Sequence, residues 1–365
     1  MPIGTRCLIA CLLLAPFAAG AAARPLTLGL VTPPNDPDAA SLRRGVQLAV
    51  AAANTADAPV ALEVRSEGGQ WGSVGNDAVT LVCERHADAL ITPSDGAATH
   101  LMLQVSGRTR APVASVCPDS SITEAGVIWA VCVVPRTDQA AGALFAATRR
   151  TDGSPLQWWA VVPAGRPGRM VRRDLETAAR VAATPLDRIV EGGVPTTDVA
   201  DLAHTIAGAA PGGVLLWLPP ARAGALAAAL RAAGYGGRLA GPAALDSPDF
   251  IAAAGTAATG VLVAEFRTDA DLRAQAEQFQ RQFRQRYNAP PDFYAAAAHD
   301  AALVLIEALR RGEAGAGYRQ FPLGVPIPGV TGVLHFDALG NRTDPLQVLT
   351  CRDGRFMPIP IPETR

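Results

Sequence analysis

The chain contains no lysine. Every fixed positive side chain is an arginine, which excludes a phosphate loop of the usual lysine-bearing form. The formal net charge is -1, so no basic surface is on offer to nucleic acid or to an anionic membrane. No GxGxxG follows the first strand-like run, and neither HExxH nor CxxC occurs. Gly72-Ser73-Val74-Gly75 approaches a nucleophile elbow, but Trp71 stands where its first glycine belongs. The five histidines, His86, His100, His204, His299 and His335, are scattered, and none forms a cluster with acids or cysteines. These absences leave no motif for catalysis. The reading is a protein that is not an enzyme and needs neither cofactor nor metal.

Beyond the first residues, no apolar run is long enough to span a bilayer. The beginning itself reads as a secretory leader over residues 1–23. Arg6 supplies the charged region, residues 7–17 the apolar core, and Ala21-Ala22-Ala23 a small-residue cleavage site. Too little apolar sequence precedes Cys11 for it to be a lipidation site. Four cysteines then remain, and four allow three pairings. Cys117 and Cys132 flank one loop and are the expected disulfide; the alternative is four buried thiols.

What is present is a rhythm. Residues 26–31 are a short apolar run stopped by Pro33-Pro34, which reads as a buried strand. Leu42, Val46, Ala49, Val50 and Ala53 recur at helical spacing, with Arg43, Arg44 and Gln47 on the other face. Strand-like runs follow at 60–65, 89–91, 111–116 and 128–133, with helical stretches through Val79–Cys83 and Leu101–Val105. The alternation restarts with strands at 158–162, 188–190, 214–218, 238–240 and 261–266. Two long helices, 269–287 and 293–311, and strand-like pieces at 332–336 and 346–350 close the chain. Alternation of this kind predicts parallel sheets covered on both faces. With 365 residues, two lobes are the natural division.

Four stretches carry a resemblance: "LGLVTPP…RRGVQLAVAAAN", "GPAALDSPDFIAAAGTAATGVLVAEF", "FQRQFRQRYNAPPDFYAAAAHDAALVLIEALRR" and "GVTGVLHFDALGNRT…DGRF". They resemble the type I periplasmic solute-binding proteins, the leucine/isoleucine/valine-binding family of ABC importers. The resemblance implies a two-lobed α/β fold of mostly parallel sheets with three hinge crossings. The first lobe would be residues 24–137 plus 268–345, the second 138–267 plus 346–365. It further implies an exported, periplasmic, monomeric receptor that closes on a small-molecule ligand and delivers it to an ABC permease. A periplasmic sensor feeding a receptor kinase or chemoreceptor is the alternative, as is an accessory protein of a periplasmic enzyme.

In two-lobed α/β proteins the strand-end loops of both lobes face one ligand. The candidate binding residues are therefore Pro34 and Asn35, Ser94, Asp95 and Gly96, Asp119 and Ser120 from the first lobe. From the second they are Arg166, Trp217 and Ala243, with Phe293 and Tyr294 at the start of a late helix. Six of them have an ordinary alternative. Asp95 is a good helix N-cap and Asp119 a turn residue. Arg166 is either an anion clamp or a solvated loop residue. Trp217 either stacks on the ligand or packs at the hinge, and Phe293 and Tyr294 suit a core.

The sequence also departs from the family. Amino-acid-binding members have a threonine near the position of Asp119 and an acidic residue after the Gly-Pro that precedes Ala243. They have a tyrosine-glycine pair where Pro167-Gly168 stands and a tyrosine where Pro219-Pro220 stands. Half of the apparatus that would hold an α-amino acid is missing. The expected ligand is instead a neutral polar molecule with an apolar body, since Asp95 opposes an anion.

Overall fold

The structure is a computed structural model. It describes residues 24–34, 36–66, 72–192, 199–268, 270–312 and 325–359. The expected leader and the candidate Asn35 lie outside the described residues.

Two large sheets form among the described residues, each at the centre of its own lobe. The first has the order β2-β1-β3-β4-β5: β1 (Leu26–Val31), β2 (Val60–Arg65), β3 (Ala89–Ile91), β4 (Val113–Ser115) and β5 (Ala130–Cys132). All its pairings are parallel. Helices α1 (Ala39–Ala53) and α11 (Phe293–Arg311) cover one face. On the other lie α2 (Ser73–Val79) and α3 (Gly96–Thr109), with α4 (Ser121–Glu124) placed before β5. Both faces are buried, which is why these strands read as continuous apolar runs rather than alternating ones.

The second sheet repeats the plan. Strands β6 (Trp158–Val162), β7 (Leu186–Glu191), β8 (Gly213–Leu216), β9 (Arg238–Pro242) and β10 (Leu262–Phe266) are parallel in the order β7-β6-β8-β9-β10. Strands β13 (Leu346–Arg352) and β14 (Arg355–Pro358) then add antiparallel beside β10. Helices α5 (Thr137–Ala147) and α6 (Gly165–Val181) cover one face; α7 (Val199–Ala209), α8 (Pro220–Ala232) and α9 (Pro248–Ala254) cover the other. Trp158 is fully buried, edge-on to Phe145 at 5.8 Å, while Trp159 is half-buried under the Arg188 guanidinium.

The chain passes between lobes three times: after β5, after β10 and before β13. Helix α10 (Arg273–Tyr287) and the hairpin of β11 (Ile327–Gly329) and β12 (Gly332–Leu334) belong with the first lobe. Only Phe279 and Phe283 of α10 are buried, against Leu48, Ala295 and Val330. Two such side chains contribute about 1.5–3 kcal/mol each and suffice to dock a helix otherwise rich in arginine and glutamine.

Helices α1 and α11 meet at Gly45, where a Cβ would lie 2.1 Å from the Ala295 backbone oxygen. A backbone atom cannot swing aside as a side chain can. Gly45→Ala is therefore expected to cost at least about 1–3 kcal/mol of stability in urea unfolding. A loss below about 0.5 kcal/mol would mean that the helices separate freely.

The expected Cys117–Cys132 disulfide is corrected by the structure: both are buried, free thiols. Ser115, not Cys117, pairs with Cys132 across β4 and β5. Cys117 lies two residues further on, and its side chain packs among the residues on the α3 face, whereas Cys132 packs on the α1 and α11 face. The Cys132 thiol donates to the Cys117 carbonyl at 3.3 Å. Burial pushes both thiols up, Cys132 to about 11.

Candidate functional site

In each sheet the strand order reverses at one place: between β1 and β3 in the first, between β6 and β8 in the second. A crevice opens at the carboxyl ends of the strands at such a point, because the loops there leave in opposite directions. The two crevices face each other. Pro33, Pro34, Asp36 and Asp38 follow β1, and Ser94 and Asp95 follow β3. Pro163 follows β6, and Trp217, Leu218 and Pro219 follow β8. Together they enclose a cavity of about 690 Å³, within the range of small-molecule sites. A void of about 20 Å³ continues inward among Trp217, Ala243, Phe293 and Tyr294.

The candidate residues divide on this geometry. Pro34, Ser94, Asp95, Trp217 and Tyr294 line the main cavity. Ala243 and Phe293 line only the inner void on this side. Trp217 has both of its expected roles: it is 5% exposed and packed with Leu215 and Ala240, yet it forms part of the cavity wall. Asp95 likewise caps α3, its Oδ1 accepting from the Ala98 N–H at 2.7 Å, while lining the cavity.

Asp119, Ser120, Gly96 and Arg166 do not line the cavity. Asp119 Oδ1 accepts from the Ser121 N–H and hydroxyl, a turn arrangement. Its Oδ2 is buried without a hydrogen-bond partner and lies so close to Gly96 that a Cβ there would be 2.7 Å away. Ser120 is occupied between lobes: its hydroxyl donates to Asp174 of α6 at 2.7 Å, and Arg173 donates to it in turn. Arg173 also reaches Glu124 at 3.3 Å. Arg166 is half-buried near the start of α6, and its charge acts on His100, whose pKa is lowered by burial and then by that arginine, against Asp119.

Sequence reasoning missed Asp36 and Asp38. The loop "PPNDPD" is placed by its sequence at the ligand-binding edge of the sheet, but the candidates taken from it are Pro34 and Asn35, not the two aspartates that follow. Asp36 Oδ1 accepts from the Asp38 N–H at 2.9 Å, and its Oδ2 is buried without a hydrogen-bond partner among the described residues. Asp38 Oδ2 accepts from the Ser94 hydroxyl at 2.7 Å. Burial and the nearby Asp36, Asp292 and Asp249 carboxylates outweigh that hydrogen bond and push Asp38 up to about 7. Asp36 is also pushed up, by burial and by Asp95. Burial raises the Tyr294 phenol as well, with Asp38 adding to it.

The hinge lies behind this wall. A second cavity of about 190 Å³ is bounded by Asp246, Glu265, Asp292 and Arg342. Burial pushes Asp246 up to about 6, Asp292 adding to it, and raises Glu265 further, with Asp246 adding there. Arg342 is 1% exposed and touches all three crossings. Its guanidinium donates to the Val133 carbonyl after β5, lies 3.9 Å over the Phe266 ring at the end of β10, and pairs with Asp344 before β13.

Among the described residues no helix is long and apolar enough to cross a membrane. No group of three His, Cys, Asp or Glu side chains among them is placed to hold a metal ion.

Known proteins fit this architecture. The branched-chain amino acid transporter substrate-binding protein LivJ from Streptococcus pneumoniae, solved with isoleucine, superposes with a TM-score of 0.78 at 16% identity. The match covers 91% of this chain and 98% of LivJ. A solute-binding protein of an ABC transporter from R. palustris, in complex with benzoate, gives 0.78 at 16%, covering 92% and 96%. One from Rhodopseudomonas palustris BisB5, in complex with 3,4-dihydroxybenzoic acid, gives 0.76 at 16%, covering 92% and 95%. No curated protein matches the chain. The family model described as periplasmic binding protein matches residues 25–337. Two facing switch-point crevices and that match lead to one conclusion: this chain belongs to the periplasmic binding protein family.

Proposed function

We propose that the protein is an exported, monomeric solute receptor of an ABC importer, binding a small molecule between its lobes and handing it to an inner-membrane permease. The observation that carries this is the cavity of about 690 Å³ lined by strand-end loops of both sheets. A ligand that touches both walls favours the closed arrangement over the open one, and the hinge then follows its occupancy. The moving bodies are residues 24–137 plus 268–345 and residues 138–267 plus 346–365.

The ligands of the similar proteins, isoleucine, benzoate and 3,4-dihydroxybenzoic acid, each bear a carboxyl group. Here the described residues of the cavity wall include no arginine or histidine to meet one. Leucine, isoleucine and valine are therefore expected to bind more weakly than micromolar, a threshold of about -8 kcal/mol. Calorimetry decides it: micromolar or tighter binding of any of the three would show that the wall accommodates a carboxylate. The receptor reading itself is tested by a thermal-shift screen of metabolites, with small-angle scattering to detect closure. A protein that neither gains stability nor compacts with any compound is not a solute receptor.

A further inference from the structure

We propose that the inter-lobe cavity takes an organic ammonium compound with a hydrophobic body and no carboxylate, its positive end held by Asp36, Asp38 and Asp95. This deepens the receptor reading and rests on it.

The charge of the wall is one-sided. Three carboxylates line the cavity, and none of the ion pairs among the described residues includes them. The other polar side-chain groups of the described wall are neutral: the hydroxyls of Ser73, Ser94, Thr137 and Tyr294 and the Trp217 indole N–H. An unpaired buried charge is costly, and a bound cation removes that cost while making charge-assisted hydrogen bonds. Asp36 Oδ2 is the clearest acceptor: on a half-buried side chain that lines the cavity, this atom is buried and has no hydrogen-bond partner among the described residues, and of their side-chain donors only the Ser94 hydroxyl is near enough to act on the carboxyl.

The place where an anion would bind is already taken. A helix N-terminus attracts carboxylates, and that of α3 opens on the cavity. Asp95 occupies the Ala98 N–H, and Asp119 Oδ2 packs against Gly96 at the same turn. The protein's own carboxylates thus replace a ligand carboxylate. Asp246, Asp249 and Asp292 extend the negative field behind the wall. No group of three acidic, histidine or cysteine side chains among the described residues is placed to hold a metal ion, whereas the longer hydrogen bonds of an ammonium suit carboxylates set further apart.

The opposite wall sets the body of the ligand. Pro163, Val171, Trp217, Leu218 and Pro219 present an apolar surface, and Trp217 offers an aromatic edge or face. A cation of alkyl or aryl character satisfies both walls at once. The neutral polar ligand expected from Asp95 alone gives way to a cation once Asp36 and Asp38 are counted.

The test uses sets of ligands that share a body and differ in charge: phenethylammonium, 2-phenylethanol and 3-phenylpropionate, with the corresponding butyl compounds, titrated by calorimetry into the mature chain. The ammonium members are expected to bind at least tenfold more tightly than their partners, and more tightly at pH 8 than at pH 6 as Asp38 ionises among Asp36, Asp249 and Asp292 beside Ser94 and Tyr294. Asp36→Asn and Asp38→Asn should each weaken ammonium binding at least tenfold without lowering the melting temperature. Tighter binding of an alcohol or a carboxylate overturns the cation class and leaves the receptor reading standing. Should none of the six bind, the charge of the strongest hit in the metabolite screen decides: a cation upholds the proposal and a neutral or anionic hit overturns it. A screen with no hit removes both readings together.

Discussion

Replacing Arg342 with alanine is expected to lower the unfolding free energy by about 3–5 kcal/mol, the usual cost of breaking a buried ion pair from one side. The guanidinium is 1% exposed. It donates to the Val133 carbonyl at 3.1 Å, to the Thr331 hydroxyl at 2.7 Å and carbonyl at 3.2 Å, and to the Val333 carbonyl at 3.0 Å. Its Nε meets Asp344 at 2.8 Å. Alanine strands three carbonyls and takes a cation from two buried carboxylates. One is Asp344; the other is Asp300 of α11, which burial alone would raise but which His299, Thr331 and Arg342 hold below the usual carboxylate range. Arg342→Lys should recover only part of the loss, because an ammonium cannot span these acceptors in the plane of a guanidinium. Urea unfolding of both variants measures it. A loss under about 1 kcal/mol for alanine would show that water or another side chain satisfies the hinge. The consequence reaches the proposed function, since this one side chain ties together all three crossings about which the proposed lobe closure would turn.

Much of the architecture was legible in the residues. Runs such as 26–31 and 158–162 are short, apolar and bounded by breakers, and they became β1 and β6 with the same bounds. The helix 293–311 was also read to its ends, since its apolar spacing is sustained and Asp292 caps it by accepting from the Ala295 N–H. Helix α5 went unread. It is short and alanine-rich, so its periodicity is faint, and its burial depends on α6 and a sheet distant in sequence. The destination of β13 in the second sheet is equally non-local. Periodicity gives an element its type, not its lobe, and the three crossings followed only from the resemblance. The disulfide failed for a related reason: fifteen residues separate Cys117 from Cys132, but which face of a sheet each side chain enters depends on register. In the site, residues that terminate strands were found by their loops. Ser94, Asp95 and Trp217 line the cavity, whereas Asp119 and Ser120 do not and are engaged with Ser121 and Asp174. The loop after β1 is legible as a binding loop through Pro34 and Asn35, but that Asp36 and Asp38 form an acidic wall depends on burial and on Asp95, Asp249 and Asp292, which are distant in sequence.

The ligand-free protein should become more stable when that wall loses a charge. Asp38→Asn is expected to raise the melting temperature at pH 8, with a gain of about 2–4 kcal/mol. The sign follows from proton linkage. Asp38 titrates near 3.8 when unfolded and at about 7 in the folded chain, because burial and then Asp36, Asp292 and Asp249 disfavour its ionised form. A folded state that holds its proton more tightly is favoured at low pH. That contribution is complete below 3.8 and is lost as pH rises through 7. Asparagine has no proton to lose, so the variant keeps the advantage where the parent gives it up. Its side-chain oxygen still accepts from the Ser94 hydroxyl, which now meets Asp38 at 2.7 Å, so the loop geometry has no cause to change. The gap between variant and parent should therefore widen from pH 4 to pH 8 and level off above the folded titration. A gap of constant size across that range would assign the effect to packing rather than charge. No gap at pH 8 would mean that the Asp38 carboxylate is already matched by a positive partner, and the acidic wall would lose its standing as a site that waits for a cation.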